Sequence, residues 1–583
     1  MPSVRFEIPP CPPQELEALR RELGVSDALA QVLVRRGHGD PEAARAFLAA
    51  AEEPPPAAFA GIGEAVALIL ERVRAGERIT VHGDYDVDGI CSTAILVRTL
   101  RELGADVDSY IPDRSEGYGL SVATVGRLAA RGTGLLVTAD CGITAVEEVR
   151  AAREAGLGVV VTDHHTPRED GRLPDAPIVH PAVCGYPFQG LCAAAVAYKL
   201  AQALLEASGP AHRDGRTLRR ELDLVALATV ADVVPLLGEN RALLRRGLRA
   251  LAGTPRPGLR ALMALAGVDP ARVGERAIAF ALAPRLNAAG RLYRADAGLE
   301  LLLTEDPARA AAIARELDSA NAERRAIERR IRFEAEAQMA ELGERDAYVL
   351  AAESWHPGVI GIVASRLVES SGRPVVMVAL DGAAGRGSGR SIEGFDLLGG
   401  LQACSEHLVR FGGHRAAAGI EIGRDRVEEF AQALAAHAAG ELGGSEPATV
   451  ERVDAILEGH EIGLPLTEEL AALAPFGAGN PPVCLMLREA VFADVRPMGE
   501  GRHARFTVHS GGVRSRGVCF GRGARLPVPD GEPAQATFAL EVNEWGGVTE
   551  ARLRLREAVA AAPVPPAPVP RQETPEQLEL ALF

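Results

Sequence analysis

The sequence predicts an α/β protein with a parallel-sheet lobe, a long connecting helix, a second α/β lobe and a β-barrel. Three observations lead to this fold class. Strand-like apolar runs alternate with helical stretches through residues 59–304, as expected for a parallel sheet. Residues 305–342 form a long helical run rich in Arg, Glu and Ala, with a solvated charged face. Residues 447–557 change to short alternating strands, which favour a small barrel.

The amino-terminal 58 residues predict a helical segment. Their leucines recur at broadly helical spacing at Leu16, Leu19, Leu23, Leu29 and Leu33. We expect residues 1–58 to form a helical cap on the first α/β lobe.

The second α/β lobe is expected at residues 343–446. Its strand signals are Ala347–Leu350 and Val375–Val378, with glycine loops between helical stretches. After the barrel, residues 558–576 are rich in Pro and Ala and predict an extended linker to the apolar tail 577–583.

Acidic and histidine side chains follow four buried apolar runs of the first lobe. The first run, Ile79–Val81, leads directly into His82, Asp84, Asp86 and Asp88. The other three runs end at Asp140, at Asp163-His164-His165 and, after the strand-like Leu224–Val230, at Asp232. Acids so crowded would repel one another without cations, so we predict a metal site at the carboxyl edge of the sheet.

The ligand types indicate which metal the site prefers. Carboxylates with a minority of histidine suit Mn²⁺ or Mg²⁺ better than zinc or copper. None of the eight cysteines belongs to a Cys-x-x-Cys pair, so no thiolate zinc site is predicted. The alternative is that these acids only cap helices at βα turns, which a single Asp often does.

Composition narrows the class of protein further. The chain has 583 residues, which is enough for three or four domains. Its net charge is −16, and its hydrophobic fraction is 47%. No apolar stretch approaches a membrane span and the cysteines are scattered, so we expect a cytoplasmic protein. The acidic balance argues against nucleic-acid binding except where cations are local. Such basic clusters occur at Arg285 with Arg291, at Arg386 with Arg390, and at Arg552, Arg554 and Arg556.

The chain resembles the DHH phosphoesterases. Besides His82–Gly89 and Asp163–His165, the segments that carry the resemblance are Ala283–Leu292, Trp355–Arg366, Gly387–Ser391, Gly412–His414 and Leu473–Pro481. The resemblance covers roughly residues 30–560 and implies a DHH lobe, a DHH-associated lobe and an OB-type barrel.

The resemblance also implies roles for individual residues. The implied metal ligands are His82, Asp86, Asp88, Asp140, His164 and Asp232, with Asp140 bridging two cations. The implied catalytic residues are Asp86, Asp88, Asp140, His164 and His165, while Asp84 and Asp163 are expected to orient ligands or contact phosphate. The candidate substrate contacts are Arg114, Arg285, Asn287, Ser388, Arg390 and His414. For the glycine loop around Ser388, the alternative is an ordinary flexible loop.

The barrel contains candidate DNA-stacking residues, which are Phe506, Phe520 and Trp545. Aromatic residues make up only 4% of the chain, so the alternative for each is a place in the core.

The function implied is a metal-dependent exonuclease that degrades single-stranded DNA from its 5′ end in repair and recombination. Two alternatives stay open. One is a DHH enzyme acting on nanoRNA, a cyclic dinucleotide or pyrophosphate, against which the barrel argues. The other is a binding scaffold that has lost catalysis, against which the complete ligand set argues. The partners expected are single-stranded DNA, a sliding clamp, a single-strand-binding protein and a helicase, with the protein itself a monomer.

The carboxyl-terminal tail resembles the Gln-Leu-x-Leu-x-Leu peptides that bind bacterial sliding clamps. Its candidate clamp contacts are Gln577, Leu578, Leu580, Leu582 and Phe583. The alternative is a terminal helix that docks on the protein's own surface.

Overall fold

A computed structural model describes residues 4–113, 116–209, 216–292, 294–443, 449–523, 525–545 and 547–561. They divide into two compact units. The smaller unit draws on Met1–Leu48, Ala448–Ala474 and Pro482–Phe583, and the larger on Ala49–Pro447 and Pro475–Pro481. Arg114 and the tail 577–583 lie outside the described residues. No helix within the described residues is long and apolar enough to cross a membrane.

The chain begins with elements of the smaller unit. These are β1 (Val4–Glu7), α1 (Pro13–Leu23), α2 (Asp27–Arg35) and α3 (Pro41–Ala49). Ser26 caps α2 by accepting a hydrogen bond from the Leu29 backbone N–H, and α2 is buried along most of its length.

The larger unit opens with the predicted parallel sheet. Its elements are α4 (Ile62–Ala75), β2 (Arg78–Gly83), α5 (Val87–Glu102), β3 (Val107–Tyr110), α6 (Val122–Ala130), β4 (Thr133–Ala139), α7 (Val146–Glu154), β5 (Gly158–Thr162) and β6 (Ile178–Val179). The strand order is β3-β2-β4-β5-β6, and every pairing is parallel. The chain order reverses between β2 and β4, which is where open α/β sheets bind their ligands.

A helical layer follows the sheet. It contains α8 (Ala193–Ala207), α9 (Arg216–Ala231), α10 (Gly238–Ala252), α11 (Pro257–Ala266), α12 (Glu275–Ala277), α13 (Ala283–Leu292) and α14 (Ala297–Leu303). A π-helical turn, Ile278–Leu282, joins α12 to α13. The strand-like interpretation of Leu224–Val230 was wrong, because this run lies in α9. Glu221–Thr229 is buried on every side, and an apolar run does not distinguish a buried helix from a central strand.

The predicted connecting helix is confirmed as α15 (Pro307–Leu342), and the second lobe follows it. That lobe contains β7 (Tyr348–Ala352), α16 (Ile360–Ser371), β8 (Val375–Asp381), β9 (Ala384–Arg390), α17 (Leu397–Ala403), β10 (Arg410–Gly413), β11 (Ala417–Gly423) and α18 (Val427–Leu442). The glycine segment around Ser388 is a strand rather than a loop, since β9 pairs with both β8 and β11. A Cβ at Gly387 would lie 2.5 Å from Ile420 Cγ1, so this glycine permits close packing.

The smaller unit resumes with β12 (Thr449–Arg452), β13 (Ala455–Leu457), α19 (Leu464–Ala471), β14 (Leu485–Met498), β15 (His503–Ser510), β16 (Val513–Phe520), β17 (Pro533–Trp545) and β18 (Val548–Ala560). The predicted barrel is confirmed: β14-β15-β16-β18-β17 closes through pairing of β17 with β14. The amino-terminal segment was expected to cap the first α/β lobe. That cap stays a prediction. Within the smaller unit, β1 pairs in parallel with β12, and α2 packs against β13.

Candidate metal centre

The turn after β2 is held in one conformation by its own backbone contacts. Asp86 caps α5 by accepting a hydrogen bond from the Gly89 N–H at 3.1 Å. A Cβ at Gly89 would lie 2.4 Å from the Asp84 carbonyl oxygen, so only glycine allows the turn to close this tightly. The Val87 N–H donates to Asn287 Oδ1 at 3.0 Å, which ties the turn to α13.

Asp88 lies inside the first turn of α5 and faces the start of α8. Its carboxylate accepts hydrogen bonds from the Ala193 N–H at 2.7 Å and the Ala194 N–H at 2.8 Å. The amino-terminal end of α8 therefore stabilises this buried carboxylate and fixes its orientation.

Asp140 follows β4 with a backbone φ of 67°. This left-handed conformation is uncommon for a residue with a side chain, and Asp tolerates it better than most. It lies at the β2–β4 switch point, and Asp140 is only 2% exposed.

His164 provides the strongest evidence for a cation. Its Nδ1 lies 3.1 Å from the Leu191 carbonyl oxygen, so Nδ1–H donates there and Nε2 keeps its lone pair. Nε2 lies 3.3 Å from Asp140 Oδ1 and 3.7 Å from the nearest oxygens of Asp88 and Asp232. It has no hydrogen-bond partner among the described residues. A lone pair that faces three carboxylates is an arrangement that a bound cation would stabilise.

The ligand atoms gather in three overlapping groups. Within each group the atoms lie within 4.8 Å of one another, and the groups are Asp84–Asp86–Asp140, Asp140–His164–His165 and Asp88–His164–Asp232. Asp140 and His164 are each shared by two groups. These residues would hold divalent cations, and their hard-oxygen and imidazole donors fit Mn²⁺ or Mg²⁺.

Burial raises the pKa of three carboxyl groups of the cluster, those of Asp88, Asp140 and Asp232. For Asp140 the main cause is desolvation, followed by the charges of Asp88 and Asp86, and its pKa lies well above the ordinary range. Desolvation and the same neighbours raise the pKa of Asp232 to about 8. Bound cations would reverse both effects, because they favour the ionised carboxylates.

Asp163 and His165 form a support for the ligands. Asp163 Oδ1 accepts from His165 Nδ1 at 2.8 Å, and Asp163 Oδ2 accepts from the Ile143 N–H at 2.9 Å. Although burial opposes it, this carboxylate raises the pKa of His165 to about 9.

Tyr118 is a residue of this site that the sequence interpretation missed. Its hydroxyl donates to the Asp140 carbonyl oxygen at 3.1 Å and lies 3.0 Å from His165 Nδ1. The only signal was its glycine-flanked position, Gly117-Tyr118-Gly119, which carries no chemistry by itself.

Two further predictions bear on the ligand set. His82 belongs to none of the three groups found among the described residues, but its buried Nε2 has no hydrogen-bond partner there, so its role as a ligand stays a prediction. The His82 ring is buried, and its centroid lies 5.6 Å from the centroid of the Tyr110 ring. Its Nδ1 lies 3.5 Å from Cys141 Sγ. Asp84, expected only to support the ligands, belongs to the group with Asp86 and Asp140.

A pocket of about 660 Å³ adjoins the start of α16. Ser388, Arg390 and Gly361 line it, and Arg390 Nη1 donates to Ser388 Oγ at 3.0 Å. A Cβ at Gly361 would lie 2.8 Å from Ser388 Oγ, so the helix approaches β9 closely. Burial lowers the pKa of Arg390, and no carboxylate pairs with it among the described residues. Such a cation suits a phosphate.

The remaining predicted substrate contacts have other partners or lie apart. Arg285 Nε donates to Asp318 Oδ1 at 2.9 Å, and Asn287 holds the turn before α5. His414 is exposed beyond the end of β10. In the barrel, Arg552 and Arg554 pair with Glu541, and Arg556 pairs with Glu451.

The aromatic predictions divide by burial. Phe506 as a DNA contact was wrong, because it is only 4% exposed and packs edge-on against Phe492 in the barrel core. Phe520 is 45% exposed beside His503 and stays a prediction. The Trp545 side chain lies outside the described part of the chain.

Comparisons with known proteins agree with this arrangement. Residues 78–229 match the DHH family, N-terminal domain; residues 346–440 match the DHHA1 domain; and residues 453–557 match the RecJ OB domain. The chain is 36% identical over 570 residues to a Bacillus subtilis (strain 168) protein named single-stranded-DNA-specific exonuclease RecJ, covering 96% of this chain and 71% of that protein. The chain belongs to the RecJ family.

RecJ structures extend the similarity to the fold. The crystal structure of RecJ in complex with Mn²⁺ from Thermus thermophilus matches with a TM-score of 0.82 and 34% identity, over 95% of this chain and 79% of that one. The RecJ structure with Mg²⁺ from the same organism matches with a TM-score of 0.77 and 32% identity, over 95% and 78% of the two chains. The predicted family resemblance and fold class are therefore confirmed.

Proposed function

We propose that this protein is a metal-dependent exonuclease specific for single-stranded DNA that removes nucleotides from the 5′ end. The observation that carries the proposal is His164 Nε2, whose lone pair faces oxygens of Asp88, Asp140 and Asp232 in a RecJ-family chain. The RecJ names of its relatives supply the substrate class, and the RecJ structures with Mn²⁺ and Mg²⁺ support a divalent metal.

The chain's own groups would hold and orient the metals. Asp84, Asp86 and Asp140 would take one cation, while Asp88, His164 and Asp232 would take the other, next to the shared Asp140. When bound, two such cations activate water and stabilise charge on a displaced phosphodiester. Asp163 fixes the His165 ring through Nδ1, and Leu191 fixes the His164 tautomer, so the ligand set is pre-organised before substrate arrives.

We propose that Ser388, Arg390 and the amino-terminal end of α16 bind the 5′-terminal phosphate. A helix start offers backbone N–H groups, and a half-buried arginine without a carboxylate partner offers a charged donor. Binding one end of the strand there would set which phosphodiester reaches the metals.

Arg390→Ala is expected to raise KM for a 5′-phosphorylated strand by about tenfold to a hundredfold, with kcat nearly unchanged, because a charged hydrogen bond to the end is lost. Steady-state kinetics on 5′-phosphate and 5′-hydroxyl strands will measure this. The variant should also lose any preference for the 5′-phosphate. Arg424→Ala, which removes an exposed arginine of the same lobe paired with Glu353, is the matched control. A fall in kcat at constant KM would instead give Arg390 a role in the transition state.

A substrate panel tests the proposed function against its alternatives. With Mn²⁺, the protein should degrade a 5′-labelled single strand and leave a blunt duplex, a cyclic dinucleotide and pyrophosphate intact. Rapid hydrolysis of a dinucleotide or pyrophosphate with a stable single strand would favour a small-substrate DHH enzyme. Tight strand binding without hydrolysis of any substrate would favour a scaffold.

We propose that the tail 577–583 binds a sliding clamp through a proline-rich tether. The tether would raise the local concentration of the nuclease at clamp-loaded DNA. Deleting residues 577–583 should abolish binding to purified clamp in surface plasmon resonance while leaving hydrolysis of free oligonucleotides unchanged. Equal clamp binding by the truncated and full-length proteins would exclude the tail as the contact. A single-strand-binding protein and a helicase remain further proposed partners.

A further inference from the structure

A groove of about 490 Å³ runs beside Asp232, and its two walls differ in chemistry. One wall is apolar and includes Val233 and Phe280. The other wall is basic and includes Arg325, Arg329 and Arg366. We call it the two-walled groove. It shares Phe280, Arg291, Ile362 and Arg366 with the pocket around Arg390, so the two spaces are neighbours.

Phe280 is unusually exposed for a phenylalanine. Its side chain is 77% exposed, whereas Ile278 and Leu282 of the same π-helical turn are fully buried. The Arg276 guanidinium lies 5.8 Å from the ring centroid, at the outer range of a cation–π contact. Single π-helical turns are rare and often occur at functional sites, and this one points an aromatic ring into the groove.

Val233 provides a second, independent observation. It directly follows Asp232, has a backbone φ of 58° and is 69% exposed. A β-branched residue in the left-handed conformation is strained, and exposing its side chain gains nothing for the fold. Two exposed apolar side chains thus line the groove next to a proposed metal ligand.

The basic wall suits a phosphate backbone. Arg325 and Arg329 are exposed one helical turn apart on α15. Arg324 and Arg366 are held by Glu328, through contacts of 2.7 and 2.8 Å, and this ordering keeps the wall rigid. A strand in the groove would turn its phosphates toward these arginines and its bases toward Phe280.

We infer that Phe280 is the stacking platform for a base of the strand on its way to the metal centre, with Val233 supporting the same base edge-on. This inference rests on the proposed function and deepens it. A base paired in a duplex cannot turn its face to a side chain without leaving the helix, so the platform would favour unpaired strands. Phe280 is well placed for this role, because the π-helical turn continues into α13, whose Asn287 holds the metal-binding turn.

The test is a positional scan with abasic substrates. A set of 5′-phosphorylated 12-nucleotide strands carries one tetrahydrofuran residue at successive positions from the 5′ end. The wild-type protein, Phe280→Ala, Phe280→Trp and Phe333→Ala are compared by KM and kcat with Mn²⁺. Phe333 is the matched control, since it is 75% exposed on α15 but does not line the two-walled groove.

The wild-type protein should show a KM that rises about tenfold when the abasic residue occupies one particular position. Phe280→Ala should show that raised KM on every strand, with no further penalty at the abasic position. Phe280→Trp should restore the positional pattern, and Phe333→Ala should retain it. A Phe280→Ala variant that keeps the wild-type positional penalty overturns the inference. Failure of the wild-type protein to cleave any strand would overturn the proposed function instead.

Discussion

Asp140→Asn is expected to abolish exonuclease turnover while leaving the fold intact. Loss of a residue that only supports a ligand costs about 10- to 100-fold in activity or metal affinity, and loss of a bridging ligand should cost more. Asn preserves the side-chain shape and tolerates the φ of 67°, so backbone strain is not a confounding cause. Because burial disfavours the ionised form of Asp140, the neutral Asn should leave the melting temperature of the metal-free protein unchanged or raise it.

Metal titration calorimetry and single-turnover hydrolysis measure this prediction together. The variant should bind fewer Mn²⁺ ions, or bind them more weakly, and should show no burst of product. Asp108→Asn is the matched control, because it changes an exposed aspartate of the same sheet on β3. Near-normal Mn²⁺-dependent turnover by Asp140→Asn would exclude it as a bridging ligand.

The sequence was sufficient to predict the sheet and most of its ligands. The acids at 84–88, Asp140 and Asp163 follow strands whose apolar runs are short and end abruptly, and parallel strands deliver their carboxyl ends to one edge. Asp232 was predicted as a ligand even though the apolar run before it lies in the helix α9 and not in a strand. The prediction did not depend on this difference, because Asp232 follows the buried run in either case.

Side-chain direction was harder to predict than element type. Phe506 and Val508 alternate with Arg505 and Thr507 in β15, so strand parity already indicated that Phe506 faces the core with Val508. No such signal indicated that Phe280 is exposed. The buried and exposed positions of a helix are predicted from its regular spacing, and a π-helical turn interrupts that spacing.

Contacts between distant parts of the chain were not predictable from local pattern. The amino-terminal segment is amphipathic, and any apolar surface could have covered it. Its partner is set by the pairing of Val4–Glu7 with Thr449–Arg452, a register that no short-range signal encodes. Tyr118 illustrates the same limit within the site, because only the fold brings its hydroxyl to the Asp140 carbonyl oxygen and to His165.

The metal-free protein is expected to lose thermal stability as the pH rises from about 5 to 8. Burial raises the pKa of Asp232 from an ordinary value of 3.8 to about 8. Between these values the unfolded chain has released this proton while the folded chain still holds it, so folding binds a proton and raising the pH opposes folding. The expected fall in melting temperature is on the order of a few °C, because one group of a large protein contributes to it.

Saturating Mn²⁺ should remove this fall or reverse it. Metal ions compete with protons for the same carboxylates, so their binding strengthens as the pH rises and stabilises the folded state. Calorimetric melting curves in chelator and in Mn²⁺, from pH 5 to 8, will separate the two effects. Asp232→Asn should flatten the pH dependence in chelator, because it removes one of the groups whose protonation differs between the folded and unfolded states. A melting temperature that rises with pH across the whole range in chelator would contradict the prediction. It would show that groups with a lowered pKa, such as the buried His82, outweigh Asp232.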